Sequence, residues 1–415
     1  MVTIKPFAAV RPQAELAAQV AALPYDVMNS DEARQMAAGN PYSFLHVDKA
    51  EIDLDPSVDL YADEVYAKAA ANLRQLKADG VLRQDSSPCL YVYAQKMNGR
   101  RQVGLVACAS VDDYQQNRIK KHEFTRADKE ADRIRHVDEC NANTGPIFLT
   151  YRDEPKIAAE LAAWLAAYSP VYDFVAEDGV GHTVWQINDD AVINRLTAAF
   201  ADVPALYIAD GHHRAASAVK VAEKRRAAHP GYTGEEEFNS FLAVIFPAGD
   251  LAIMDYNRVV RDLNGMTEDE FLAQLQQSFN VVKADSAQEY RPQQKHEISL
   301  LLSSGWYRLT VRPGVFDESD PVARLDVSIL QNIVLAKLLG ITDPRTDKRI
   351  DFVGGIRGLR ELQRRVDDGW AAAFAMYPTG LDDLMAIADS GQVMPPKSTW
   401  FEPKLRSGLF IHELS

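Results

Sequence analysis

The sequence predicts a mixed α/β fold, on the strength of three local patterns. An apolar run at 205–209 leads through one glycine into residues with the spacing of a helical face, as where a buried strand is followed by a helix. Apolar runs at 90–95 and 103–109 flank Asn98-Gly99, a dipeptide typical of hairpin turns. The segment 350–390 alternates strand-like and helix-like stretches. We therefore expect sheets covered by helices.

Capping residues predict the helices of the first 80 residues. Ser30 is a natural N-cap for a helix that reaches Ala38 and stops at Gly39. A longer helix is predicted over 62–79, where Gly80 ends it.

Later elements follow from the same signals. Runs at 241–246 and 251–254, separated by a Pro-Ala-Gly-Asp turn, are predicted to form a hairpin-like pair. The elements expected after them are a helix from Asp326 to Gly340, a strand at 350–353, a helix through Val366, a strand at 371–376 and a helix opened by Thr379.

The length of 415 residues exceeds what one hydrophobic core usually supports, so two or three packed units are expected. We predict an N-terminal α+β domain at 1–150, with the hairpin and a cationic helix. A central domain at 151–320 carries the strand–glycine–helix junction, and 321–415 forms a C-terminal α/β segment. Whether that segment packs on the same site is left open.

Composition excludes several classes of protein. Acidic residues outnumber basic ones 59 to 45, and the net charge of −14 disfavours binding to nucleic acid or to anionic membranes. The three cysteines have no paired spacing, so we expect reduced core thiols and neither disulfides nor a zinc ribbon. The first residues lack the apolar run of a signal peptide, and no segment approaches about 20 apolar residues. We expect a cytoplasmic protein.

The main candidate site is the segment Asp210-Gly211-His212-His213-Arg214. A helix that starts here offers backbone N–H groups and a dipole to an anion, and Gly211 allows close approach. Arg214 can hold a phosphate with two hydrogen bonds. A carboxylate repels a bound phosphate unless a cation lies between them or the carboxylate acts as a base. Asp210 is therefore predicted to bind Mg²⁺ or to accept a hydroxyl proton. His212 and His213 are candidate catalytic donors or acids.

The same segment has a purely structural interpretation. Asp210 could cap a tight strand-to-helix turn while the two histidines lie at the surface. Five consecutive polar or turn residues after so apolar a strand favour the functional interpretation.

A second candidate is a helix predicted over 122–140. Basic residues recur on one face at spacings of three and four; they are His122, Arg126, Lys129, Arg133 and His136. Phe124, Ala127, Ala131 and Ile134 fall on the opposite face. The stripe is either a solvated face balanced by acidic neighbours or a wall for an anionic ligand, with Arg126 and Lys129 as candidate cofactor-binding residues. Glu123 and Arg126 are the residues of this segment to test first.

A third candidate is the proline-rich segment 394–404. Lys397, Ser398 and Thr399 present an ammonium and two hydroxyls, a set suited to phosphate, although packing of a C-terminal segment explains it equally well. The loop after residue 140, which contains Thr144 and Gly145, could supply further hydroxyl and amide donors, although a simple helix stop explains it at least as well.

These motifs, in this order, resemble an uncharacterised conserved prokaryotic family over essentially the whole chain. Its members are often labelled ParB-like or SpoOJ-like, and their genes tend to lie beside those of serine biosynthesis. The segments that carry the resemblance are Leu23–Val27, Asn40–Phe44, His122-Glu123, Thr125-Arg126, Thr144–Pro146, Asp210–Arg214, Asp255–Arg258 and Pro396–Thr399.

Within that match, the segment 210–216 is similar to the phosphate-binding box of ParB nucleotide-binding domains, sulfiredoxin and ParB-like free serine kinases. The resemblance implies a ParB/sulfiredoxin-like nucleotide-binding core with additional α/β layers. Sulfiredoxin has its catalytic Cys where this chain has His212, which argues against sulfinic acid reduction. The kinase box runs Asp-Gly-His-x-Arg, and Glu123 is the candidate for the kinase's separate catalytic Glu.

Three functions remain open at this point. One is a nucleotide-dependent phosphotransferase that acts on a small hydroxylated metabolite such as serine, with ATP, ADP or another nucleotide and Mg²⁺. The second is a phosphatase that acts on a phosphoserine-like substrate, and the third is a non-catalytic ParB-like nucleotide-binding regulator. The expected partners are a nucleotide and a small phosphorylated molecule, and a homodimer is left open.

Overall fold

The computed structural model describes residues 1–284 and 289–415, which form two compact units. The first comprises Met1–Leu251 together with Pro403–Ser415, and the second comprises Ala252–Glu402. Each combines helices and strands, so the predicted mixed α/β class is confirmed. The domain limits at 150 and 320 stay predictions.

The first unit contains a large sheet flanked by short two-stranded ribbons. Its strands, numbered along the whole chain, are β1 (Ile4–Lys5), β2 (Val10–Pro12), β3 (Leu82–Gln84), β4 (Leu90–Met97), β5 (Arg100–Ser110), β6 (Ile119–Lys120), β7 (Ala142–Asn143), β8 (Ile147–Tyr151), β9 (Tyr172–Val175), β10 (Gly181–Ile187), β11 (Leu206–Asp210), β12 (Ser240–Pro247) and β21 (His412–Glu413). The large sheet has the order β6-β11-β8-β12-β5-β4-β10-β9, with β1 also paired to β5. The ribbons are β2-β3 and β7-β21.

The helices of the first unit vary from one turn to almost five. They are α1 (Ala17–Val20), α2 (Ser30–Ala37), α3 (Leu45–Asp48), α4 (Asp63–Ala78), α5 (Val111–Gln115), α6 (Ala127–Cys140), α7 (Pro155–Ala167), α8 (Asp190–Ala201) and α9 (His212–Ala228). Helix α4 confirms the prediction over 62–79. Helix α2 begins at Ser30, but its N-cap is Asn29, which forms a capping box with Glu32.

The second unit is built on an antiparallel sheet of order β15-β17-β16-β19-β14-β18. Its strands are β13 (Ile253–Met254), β14 (Tyr256–Val260), β15 (Phe279–Lys283), β16 (Glu297–Leu302), β17 (Gly305–Val311), β18 (Ile350–Gly354), β19 (Ala372–Ala375) and β20 (Trp400–Phe401). Its helices are α10 (Glu268–Leu275), α11 (Asp326–Ile329), which continues as a π-helix over Leu330–Ala336, α12 (Gly358–Asp367) and α13 (Leu381–Ser390). The predicted strands at 350–353 and 371–376 are therefore confirmed.

The hairpin predicted around Asn98-Gly99 is present. Strands β4 and β5 pair antiparallel up to Met97 opposite Arg100. Asn98 and Gly99 have φ values of 51° and 80°, the positive values that tight hairpin turns require. The turn is therefore encoded by its own two residues.

The pair predicted at 241–246 and 251–254 is not a hairpin. Strand β12 lies between β5 and β8, so both of its edges are already paired. Residues Ala248–Asp250 form a single 3₁₀ turn, and β13 pairs with β20 inside the second unit. The apolar runs predicted two strands correctly but not their partners.

The junction predicted at 205–214 is present and packed into the core. Strand β11 pairs antiparallel with β8 and parallel with β6, and α9 follows it directly. The small residues Ala215, Ala218, Val219 and Ala222 of α9 are buried in the same apolar cluster as the sheet. This packing fixes the first turn of α9 at the end of β11. Among the described residues, no helix combines the length and apolar character needed to cross a membrane.

Candidate functional site

The candidate site begins where β11 ends. The pairing of β11 with β8 shifts register between Ile208 and Asp210, an irregularity of the kind that often redirects a side chain beside a functional site. Gly211 has a φ of +91°, in the left-handed region that favours glycine, and serves as the N-cap of α9. No side chain of the described residues caps this helix start. The first N–H groups of a helix have no intrahelical partner, so they remain available for an anion.

Asp210 lies between two cations. Its Oδ2 is 3.6 Å from Nζ of Lys404 and 3.4 Å from Nη2 of Arg214. Burial alone would raise the pKa of this carboxyl, but the charges of Lys404 and Arg214 outweigh it and lower the pKa to about 2. Asp210 is therefore a permanent negative charge at neutral pH.

Arg214 is nearly buried and spans the turn. Its Nη1 donates to the carbonyl of Pro146, and its Nε, among the described residues, has no hydrogen-bond partner. A β-carbon on Gly211 would lie 3.1 Å from that Nε. Burial opposes the positive charge, but the carboxylates of Asp26 and Asp210 raise the pKa of Arg214 above its ordinary value. A buried guanidinium with one unused donor, laid over a glycine, is suited to an anionic ligand.

The two histidines of the segment differ in position. His212 is buried, which corrects the structural alternative that placed both at the surface. Its ring meets that of His122 edge to face, with centroids 4.4 Å apart, and burial lowers the pKa of both, that of His122 to about 4. Nε2 of His213 accepts a hydrogen bond of 3.0 Å from the backbone N–H of Arg126.

The predicted helix over 122–140 begins later than expected, at Ala127, with Arg126 as its N-cap. The bond from Arg126 to His213 and a 2.6 Å bond from the hydroxyl of Thr125 to Glu130 hold the preceding segment outside the helix. Phe124, predicted on an apolar face, is 73% exposed. The spacing of residues 122–126 matched a helix only by coincidence.

The basic stripe divides into an exposed and a buried part. Arg126 is exposed and bonds to Asp128, and Lys129 bonds to the hydroxyl of Tyr61 at 3.1 Å. Arg133 and His136 are instead directed inward, and neither belongs to a solvated face. The phosphate-binding roles of Arg126 and Lys129 stay predictions.

Arg133 and Arg214 line one pocket of the first unit. The guanidinium of Arg133 lies 4.0 Å from the ring centroid of Tyr25 and forms a 2.9 Å ion pair with Asp132. Asp48, also in the pocket, accepts a 2.8 Å bond from the hydroxyl of Thr144. The pocket therefore offers buried groups of both charges next to the start of α9.

Several residues of this site were not predicted from the sequence. They are Tyr25, Asp48, Ser407 and Lys404. Tyr25 belongs to a segment that carries the family resemblance, and Lys404 ends the proline-rich segment 394–404. Both could therefore have been selected from the sequence as candidate site residues. Asp48 had none, because a single Asp at the end of a short helix does not differ from a surface residue.

Lys397, Ser398 and Thr399 lie in the second unit. The ammonium of Lys397 is 5.8 Å from the ring centroid of Tyr256. The backbone carbonyl of Lys397 accepts a 3.0 Å hydrogen bond from Arg258. Ser398 is buried and donates to the carbonyl of Pro395. Their role in binding a cofactor stays a prediction.

Fold and site together define a mixed α/β protein with a partly buried ionic cluster at a strand–helix junction. The chain belongs to the family described as "Protein of unknown function (DUF1015)", whose model matches residues 4–328. The resemblance to an uncharacterised family is therefore confirmed. None of the curated proteins compared with the sequence matches it.

The chain is similar at low identity to several solved structures. A mutant free serine kinase in complex with AMP is 13% identical, with 74% of this chain and 92% of that chain covered and a TM-score of 0.37. A conserved hypothetical protein from Pyrococcus furiosus is 13% identical, with 74% and 94% covered and a TM-score of 0.37. C-terminally truncated SbnI from Staphylococcus aureus is 11% identical, with 72% and 82% covered and a TM-score of 0.37. A likeness at this level does not assign an activity.

Proposed function

We propose that the protein is a nucleotide-dependent phosphotransferase that acts on a small hydroxylated metabolite of the serine type. The observation that carries the proposal is the position of Asp210, a partly buried carboxylate that contacts Lys404 and Arg214 just before the first turn of α9. Two cations and a helix N-terminus at one point favour phosphate, and the carboxylate at the same point adds a group that phosphate binding alone does not need.

Arg214, Lys404 and the first N–H groups of α9 would hold the phosphates of the nucleotide. Nε of Arg214 supports this role, because among the described residues it has no hydrogen-bond partner and is buried. Gly211 allows a phosphate to approach the backbone, since a side chain there would meet the guanidinium.

Asp210 would act as a fixed negative charge. A pKa of about 2 makes it a weak general base, because general bases work best with a pKa near the operating pH. Asp210 is better suited to orient the acceptor hydroxyl or to bind a cation. In nucleotide sites Mg²⁺ is commonly bound by one or two protein carboxylates together with oxygens of the phosphates. Mg²⁺ bound in this way would neutralise charge on those phosphates.

The acceptor would bind in the pocket beside α9. Arg133 can pair with a carboxylate of the metabolite, and Asp48 with an ammonium group. In the reaction an oxygen of the acceptor hydroxyl bonds to the terminal phosphorus, the bond from that phosphorus to the nucleotide's bridging oxygen breaks, and the hydroxyl proton leaves to solvent or to a nearby base. The catalytic roles of His212, His213 and Glu123 are proposals that rest on the resemblance.

Product analysis by phosphorus NMR tests this function. The protein is incubated with Mg²⁺, ATP or ADP and a set of hydroxylated metabolites that includes serine, and new phosphomonoester signals are sought. We expect transfer by the wild type, a loss of at least about 100-fold in Asp210→Asn, and normal rates in the exposed control Asp173→Asn. Phosphate release from phosphoserine without a nucleotide would support a phosphatase instead, and nucleotide binding without turnover would support a regulator.

A further inference from the structure

We propose that His122, Glu123 and His212 form a binding site for one divalent transition-metal ion of the Zn²⁺, Mn²⁺, Fe²⁺ or Co²⁺ type. The proposal does not depend on the proposed phosphotransferase function. It rests on the convergence of three ligand atoms, one from each residue, that all lie within 4.8 Å of one another.

The fold brings these residues together through two neighbouring parallel strands. His122 comes shortly after β6, and His212 comes shortly after β11. In their parallel pairing Leu206 lies opposite Ile119, so the two strands end at the same edge of the sheet. The site is therefore a product of the sheet and of the turn at Gly211, and His212 is held in place by the buried first turn of α9.

The ring of His122 is already in the state that a metal ligand requires. It is hydrogen-bonded to the backbone carbonyl of Ile208, while its Nδ1 is buried and, within the described part of the chain, has no partner. The bond to Ile208 therefore uses Nε2 and leaves the lone pair of Nδ1 free. Metal-bound histidines generally donate their other ring N–H to a carbonyl or carboxylate, which fixes the tautomer and the ring orientation.

The donor set selects the class of ion. Two imidazoles and one carboxylate suit the ions of the zinc and iron groups, whereas Mg²⁺ and Ca²⁺ favour all-oxygen sites. Three protein ligands leave at least one coordination position for water or for an oxygen of a bound molecule. Ligand atoms around a tetrahedral ion of this size lie about 3.4 Å apart, so binding requires the ligand atoms to approach one another by at most about 1.4 Å. Glu123 is only partly buried, whereas both histidines are buried.

Metal titration of the protein without a histidine tag tests the proposal. The protein is stripped with a chelator and titrated with Co²⁺, followed by its visible absorption, and then with Zn²⁺ in competition. No nucleotide is present, so failure here is separate from failure of the proposed function. We expect one ion per chain in the wild type and at least about 100-fold weaker binding in His122→Gln, Glu123→Gln and His212→Gln.

His182→Gln is the matched control, because His182 is another buried histidine of the same unit. It should bind Co²⁺ as the wild type does. Circular dichroism and thermal unfolding show which variants remain folded, and Glu123→Gln, at a partly exposed position, keeps the test valid if the histidine variants unfold. Absence of stoichiometric binding by the wild type, or wild-type affinity in folded Glu123→Gln, would overturn the proposal.

Discussion

Asp210 and Lys404 form a 3.6 Å ion pair although nearly half of the chain separates them in the sequence. Lys404 belongs to the first unit through the segment Pro403–Ser415, which includes β21 paired with β7. The C-terminal segment is thus part of the candidate site and not an appendage. The charge of Asp210 is balanced by a residue that only the tertiary fold brings to it.

Replacing Lys404 should weaken phosphate binding. Lys404→Met removes one of the two cations beside Asp210, so the negative charge of the carboxylate repels a bound phosphate with less compensation. We expect at least about tenfold weaker nucleotide binding, measured by isothermal titration calorimetry. Lys404→Arg, which keeps the charge, should retain most of the affinity. Equal affinity in Lys404→Met and the wild type would contradict this role.

Gly211→Ala should damage the site in two ways. The positive φ of 91° should cost about 1–2 kcal/mol of stability, and the new β-carbon would press on Arg214 at 3.1 Å. Gly99→Ala is the control, because Gly99 has a φ of 80° but no heavy atom within 4 Å of an added β-carbon. Both variants should lose stability in urea unfolding, and only Gly211→Ala should also lose nucleotide affinity. A parallel loss of affinity in both would show that the contact with Arg214 is irrelevant.

Arg133→Lys should separate acceptor binding from nucleotide binding. The substitution keeps the charge beside Asp132 but removes the planar fork that can grip a carboxylate. We expect the KM for the acceptor to rise about tenfold, with the Kd for the nucleotide unchanged. Arg135→Lys, on the same helix but more exposed, should change neither. The hypothesis of an acceptor pocket fails if the two variants behave alike.

The buried His182 should make the free energy of unfolding of the first unit depend on pH. Burial first, and then the charge of Arg406, lower the pKa of His182 to about 3, while Asp178 acts in the opposite direction. Arg406 donates to Nε2 of His182, so the ring is neutral with its proton on Nδ1, next to the hydroxyl of Tyr93. Protonation therefore favours the unfolded chain, in which the pKa is about 6.5.

The stability that His182 contributes is fully present above about pH 6.5 and is lost as the pH falls toward 3. The slope from this single group approaches about 1.4 kcal/mol per pH unit. In His182→Gln the slope of the unfolding free energy against pH, measured by urea unfolding between pH 6.5 and 4, should decrease by this amount. An unchanged slope in the variant would show that His182 does not titrate on unfolding.

Local signals allowed most of the elements to be predicted. The Asn98-Gly99 turn and the junction at Gly211 follow from the backbone preferences of their own residues, so they could be recognised without tertiary information. The hairpin predicted at 241–254 was wrong because apolar runs do not specify partners. The early helix start at His122 was wrong because a basic stripe has the same spacing whether or not its first members are helical.

The candidate site could be predicted only in part. The segment 210–214 carries its chemistry in consecutive residues, whereas Asp48 and Lys404 reach it through long-range packing that leaves no local pattern. His122 was selected for its charge, but it is buried against His212, and burial lowers its pKa to about 4. Its environment, and not its place in a stripe, gives it a candidate role.

A calorimetric titration of the wild type and Arg214→Met with ATP, ADP and AMP in the presence of Mg²⁺ tests whether Arg214 holds the phosphates of a nucleotide. Arg195→Met, an exposed arginine of α8 paired with Glu160, is the control. We expect the wild type and the control to bind at least one nucleotide with the same Kd, and Arg214→Met, confirmed as folded, to bind it at least about tenfold more weakly. No binding of any nucleotide by the wild type, or equal affinity in Arg214→Met, would contradict this prediction.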